Sequence, residues 1–213
     1  MNYFSVGFLL LRSLLLTKKL VDSGTGRLKL ATPFLNVKII KKKGSQVTLN
    51  GRLSLTPNLG GNAPISIIMG TNSKLTINGD FVLGDGVKIF INDNAELIIG
   101  GRELEFRSGI TSNVIVMVYK KITIGKDFLC SWNVFISDSD WHIINETNFN
   151  KDINIGDHVW VGNNCSILKG SIIGNNCIIS SFSKLVNKNY PENIMIGGIP
   201  AKIIKQNVSW KYC

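Results

Sequence analysis

Residues Ile153–Lys205 read INIGDHVWVGNNCSILKGSIIGNNCIISSFSKLVNKNYPENIMIGGIPAKIIK, and their spacing decides the fold. Ile155, Val161, Ile167, Ile173 and Ile179 stand six residues apart. The next residue is small in four of the five cases (Gly156, Gly162, Gly174, Ser180), with Leu168 the exception. Four places on, Val159, Cys165, Ser171, Cys177 and Ser183 are all small or β-branched. A period of six fits neither the 3.6 of a helix nor the two of a plain strand. It fits short strands joined by tight corners, each strand sending one aliphatic side chain into a shared interior.

The same step runs backwards along the chain. Ile77, Leu83 and Ile89 keep it, with corners at Asn78–Gly79 and Gly84–Asp85–Gly86, and Ile124, Cys130 and Ile136 keep it again. Then the phase slips. Three hexads make a coil of eighteen, so the aliphatic after Ile136 should fall at position 154, yet it falls at Ile155. Between them lies SDSDWHIINETNFNKDIN, residues 137–154, polar and without a hexad. A repeat broken once is expected to make room for a loop, and loops on rigid scaffolds carry function.

Three segments resemble the hexapeptide-repeat acyltransferases: Ile155–Asn164 (IGDHVWVGNN), Ile173–Ser183, and the closing run Pro191–Lys205 (PENIMIGGIPAKIIK). The resemblance is good over roughly residues 122–205. It implies an all-β fold, a left-handed parallel β-helix with an N-terminal helix and a short C-terminal segment. The expected divisions are an apolar helical segment at 1–24, an irregular basic region at 25–65, the β-helix at 66–190 with a catalytic loop at 138–154, and a closing segment at 191–213.

The resemblance also implies chemistry. In that family a histidine just before the IGDxVWIG segment is the general base for attack of an acceptor hydroxyl on acetyl-coenzyme A. His142 stands there. A sugar hydroxyl is a poor nucleophile near neutral pH, and a positioned imidazole removes that obstacle. A carboxylate beside it would fix its tautomer. Asp140 and Asp138 are both candidates, Asp140 being assigned to catalysis and Asp138 with Trp141 to the acceptor. By the same resemblance Trp160, Gly162, Asn163, Ser180 and Ser181 line the coenzyme channel, and Lys188 and Lys202 meet the coenzyme phosphates. The chain departs from the family at Ser180–Ser183, where Phe182 replaces a usual glycine. His158, at the third offset of its hexad, is expected on the surface. The Asp-x-Asp-x-His run offers hard ligands but has no second ligand cluster, so no metal is expected.

Composition narrows the alternatives. Of 213 residues, 44% are hydrophobic and only 18% charged, as suits a repeat with one buried aliphatic per strand. The formal charge of +10 favours polyanionic partners, yet no nucleic-acid motif accompanies it. Cys130, Cys165 and Cys177 fall at interior phases, so direct transfer without an acyl-enzyme is expected. The apolar run within Met1–Leu20 is interrupted by Arg12 and short of a span. It lacks the pattern of a secretory signal. It reads either as a cap on the β-helix or as a helix lying on a membrane surface.

The leading expectation is therefore a homotrimeric, cytoplasmic O-acetyltransferase, in one reading at the inner membrane face. It would use acetyl-coenzyme A and a carbohydrate acceptor, a surface polysaccharide or its precursor. The rivals are N-acetylation of an amino sugar and a non-catalytic β-helix scaffold.

Overall fold

In the computed structural model, which describes residues 3–58, 61–103 and 107–212, helix α1 (Tyr3–Leu20) leads into a left-handed parallel β-helix. Three sheets form the faces of a prism. Face I has nine strands: Arg27–Leu30, Arg52–Thr56, Phe81–Gly84, Gly109–Ile110, Leu129–Cys130, Trp160–Val161, Ile178–Ile179, Ile194–Gly197 and Lys202–Gln206. Face II runs in seven strands from Val37–Lys41 to Lys184–Leu185, and face III in seven from Gln46–Leu49 to Asn189–Tyr190. Successive strands visit faces I, II and III in turn. Among the described residues the strands of these sheets pair in parallel except at the end, where Lys202–Gln206 folds back antiparallel on Ile194–Gly197.

The six-residue step is one face, and three steps are one coil. Register therefore stacks like on like: Leu83, Ile110, Cys130, Val161, Ile179 and Ile196 form one buried column. Ile89, Val116, Ile136, Ile167 and Leu185 form another. The corners need a left-handed backbone, and asparagine tolerates it best among non-glycine residues. Asn133 and Asn164 occupy such corners between faces I and II, and Asn176 and Asn193 between faces III and I, all with φ of 56–59°. Coils also approach closely: a Cβ on Gly162 would lie 2.6 Å from the Ser181 nitrogen.

The β-helix starts at Arg27, earlier than the sequence suggests. Strand Arg27–Leu30 pairs with Arg52–Leu55, and Leu53 with Phe81. These coils take 25 and 28 residues instead of 18 because their corners are longer. Longer corners erase the period without disturbing the inward aliphatics Leu28, Leu30, Leu53 and Leu55.

Helix α1 closes this end. The first strand has no preceding coil to accept its amides, an edge that proteins cover. Here the Leu28 N–H donates to Thr17 Oγ1 (3.0 Å) and the Leu30 N–H to Ser13 Oγ (3.1 Å). Arg12 reaches the carbonyls of Pro33 and Leu35, and Leu20 is fully buried. Among the described residues no helix is long and apolar enough to cross a membrane.

Candidate active site

The broken repeat is an excursion at the corner between faces II and III. The strand Phe135–Ser137 ends it on one side and Ile153–Ile155 resumes on the other. Its base is a short antiparallel ladder: Ser139 bridges Asn150, the Asp140 N–H donates to the Phe149 carbonyl (2.8 Å) and the Lys151 N–H to the Asp138 carbonyl (2.9 Å). Its tip, residues 142–148, is exposed.

Asp138 is a foundation of the loop. Its carboxylate is wholly buried and accepts the N–H groups of Tyr119 (2.6 Å), Lys120 (2.8 Å) and Lys121 (2.7 Å) from the coil below. Burial pushes its pKa up, while these amide bonds pull it down. That placement corrects the expectation that Asp138 faces an acceptor: the corner needs three acceptors, and the carboxylate supplies them.

Trp141 is likewise an anchor. Its backbone is left-handed (φ 61°) and its N–H is held by Ser139 Oγ. Its indole donates to Ser137 Oγ (3.1 Å) and packs against Phe90 and Tyr119 at centroid distances of 5.7 and 5.5 Å. Phe149 joins edge-on to Tyr119 at 4.9 Å. The half-buried ring thus ties the loop to face II instead of offering itself as an acceptor platform.

His142 follows this anchor and is exposed, with no hydrogen bond shown to its ring among the described residues. Among the described residues no hydrogen bond joins it to Asp140. The Asp140 carboxylate pairs with Lys169 Nζ, which also donates to the Asn148 carbonyl at 2.9 Å. Lys169 therefore clips both arms of the loop together. Sequence reasoning missed it, because Lys169 lies 29 residues from Asp140 and only coil stacking brings them together.

The donor-side candidates fall elsewhere. Gly162, Asn163, Ser180 and Ser181 occupy the corner between faces I and II, where Ser181 Oγ donates to Asn163 Oδ1 at 2.6 Å. Lys202 is exposed at the start of the last strand beside that corner, and Trp160 is 42% exposed on face I. Phe182 stands at the same corner with φ of 60° and its ring in solvent, a backbone geometry costly for a bulky residue. Lys188 is different: it lies on the His142 corner, over the ring of Tyr190 at 5.3 Å. The chain thus carries His142 on one edge of the prism and most of the donor-side candidates on the next, with face II between them.

His158 is not the free surface residue that its offset suggests. It takes a left-handed corner position (φ 55°), its Nδ1 lies 3.0 Å from Asn176 Oδ1, and its ring stacks on Trp210 at 4.0 Å. Trp210, from the C-terminal tail, donates its indole N–H to the His158 carbonyl (3.1 Å) and sits 6.1 Å from Trp160. Further along face I the tail's Tyr212 borders a groove of about 570 Å³ with Trp132, Thr111 and Arg107. Among the described residues no group of three or more His, Cys, Asp or Glu is placed to hold a metal ion.

The bacterial transferase hexapeptide model (six repeats) matches residues 152–187. A Neisseria meningitidis protein named polysialic acid O-acetyltransferase is 32% identical over 160 residues, covering 68% of this chain and 74% of that one. The chain belongs to the hexapeptide-repeat transferase family. A family relative in Escherichia coli (strain K12), WbbJ, provisionally named a lipopolysaccharide biosynthesis O-acetyl transferase, is 32% identical over 137 residues. That match covers 58% of this chain, and this chain spans only 62% of that protein's length. The crystal structure of the polySia-specific acetyltransferase NeuO shares the fold, with a TM-score of 0.54 and 24% identity over 91% of this chain and 88% of that one.

Proposed function

We propose that this protein transfers the acetyl group of acetyl-coenzyme A to a hydroxyl of a surface polysaccharide or its precursor, with His142 as general base. The observation that carries the reading is His142 itself. It is an exposed imidazole held beside a pinned tryptophan, on the one loop that interrupts the well-matched repeat. Relatives named O-acetyltransferases of polysialic acid and of lipopolysaccharide biosynthesis support the substrate class.

In the proposed reaction the imidazole takes the acceptor's proton as its oxygen attacks the thioester carbonyl. The new ester forms, the carbon–sulfur bond breaks, and the proton passes to the departing thiolate. Asp140, Lys169 and Trp141 position the loop; they do not touch the reacting atoms. The split of base and donor contacts over two edges supports a homotrimer, in which the His142 edge of one protomer faces the Asn163–Ser181 edge of its neighbour. Three such contacts close a ring.

Acetyl transfer by His142→Ala tests the reading. Loss of a general base is expected to lower turnover by about 10²–10⁴. The residue is exposed, so thermal unfolding and coenzyme A affinity should stay at parental values. Retention of more than roughly a tenth of the parental rate would mean that His142 is not the base.

A further inference from the structure

Helix α1 has two apolar sides. One is spent on capping the β-helix through Leu20, Leu16, Ser13 and Leu9. The other faces solvent: Phe8, Leu10, Leu11, Leu14 and Leu15 are 46–64% exposed. On a helix these five span one broad arc, with Leu10 and Leu14, and Leu11 and Leu15, stacked as neighbours four apart. Phe34, 81% exposed, stands on the corner that Arg12 of the helix holds through the Pro33 carbonyl, a further exposed apolar side chain at this end of the β-helix. An apolar patch of this kind on a folded domain marks an interaction surface.

Charge identifies the partner. Residues 1–43 contain nine lysines and arginines against one acid, Asp22, whereas residues 44–213 contain fifteen against thirteen. Nearly all the net positive charge therefore belongs to the cap and the coil beneath it. Lys18 and Lys19 lie exposed at the end of the apolar arc, and Arg27, Lys29 and Lys38 are exposed on the first strands. Lys41 pairs with Asp22, the one acid of residues 1–43, and Lys42 pairs with Asp93 of a later coil. Leucines bordered by Lys18, Lys19, Arg27, Lys29 and Lys38, which have no carboxylate partner among the described residues, match the interfacial region of an anionic bilayer, with acyl chains for the leucines and phosphates for the cationic groups. A second copy of the same surface would bring like charges together and is disfavoured.

We propose that the outer face of α1, with Phe34, is a docking surface for an anionic lipid bilayer, on which the helix lies flat while its inner face stays on the β-helix. The helix cannot leave the cap to insert across the bilayer, because Ser13 and Thr17 hold strand amides that would otherwise be orphaned. The proposal is independent of the transfer chemistry.

Co-sedimentation of the full chain with vesicles tests it, using equal parts phosphatidylglycerol and phosphatidylcholine against phosphatidylcholine alone. The expected result is sedimentation with the anionic vesicles only, weakened by salt. Leu10→Gln with Leu14→Gln should lower binding at least tenfold, with thermal unfolding unchanged. Lys18→Gln with Lys19→Gln should weaken it severalfold. Binding to neither vesicle, or binding that ignores the leucine substitutions, overturns the proposal. So does a leucine variant that fails to fold, since those side chains would then be buried. A parental chain that ignores vesicles but self-associates until the leucines are replaced identifies a second copy as the occupant, and overturns it too.

Discussion

Asp138→Ala separates a structural role from a substrate role more sharply than any other change at the site. The substitution leaves the N–H groups of Tyr119, Lys120 and Lys121 without acceptors in a place where Asp138 is fully buried. An unpaired buried amide costs about 1–3 kcal/mol. Water admitted to the cavity returns part of that, and removing a desolvated carboxylate returns more, so a net loss of about 3 kcal/mol is expected. For a chain of this size one kcal/mol moves the melting midpoint by about 2–4 °C, giving a fall of roughly 6–12 °C. Repeat arrays can lose stability locally, so amide exchange at residues 119–121 should be read beside the melt. Those amides should lose protection first. An acceptor-binding Asp138 predicts the opposite pattern: an unchanged melt and a raised KM. A midpoint within about 2 °C of the parent, with protection intact, refutes the structural reasoning.

Lys169→Met keeps the length of the half-buried side chain but removes its bonds to Asp140 and Asn148. Turnover should fall about tenfold and cleavage within residues 141–148 should quicken, while the melt moves by less than about 1 kcal/mol, since the pair is partly exposed; an unchanged rate means that Lys169 does not position the loop. Sedimentation at micromolar concentration should give three times the chain mass, and a monomer would remove the two-edge site geometry. Burial pushes the pKa of the Cys130, Cys165 and Cys177 thiols up. Native alkylation at these three should therefore stay slow as pH rises through the ordinary thiol range near ~8.5 and become fast on unfolding. Incubation with acetyl-coenzyme A alone should leave them unmodified, and a stoichiometric acetyl adduct would overturn direct transfer.

What the sequence determined by itself was whatever depends on local repetition. The six-residue series Ile155, Val161, Ile167, Ile173 and Ile179 puts one of these inward aliphatics on each face in turn, and that is enough for a coil. The position of the loop was legible for the same reason, since a strict period shows where it breaks. The longer coils from Arg27 to Phe81 were not legible, because corner loops of different length scramble the spacing while leaving the inward leucines in place. Only the tertiary structure decided the roles of the polar residues. Asp138 and Asp140 are two residues apart and alike in sequence, yet one holds three amides of the coil beneath and the other pairs with a lysine of the coil above. The ring of His158 lies under a tryptophan 52 residues away. Partners of this kind come from stacking successive coils, and the distance along the chain between stacked residues depends on every corner between them. A hydrophobic residue needs only an inside; a polar residue needs a particular partner, and that partner is set by the whole winding of the chain.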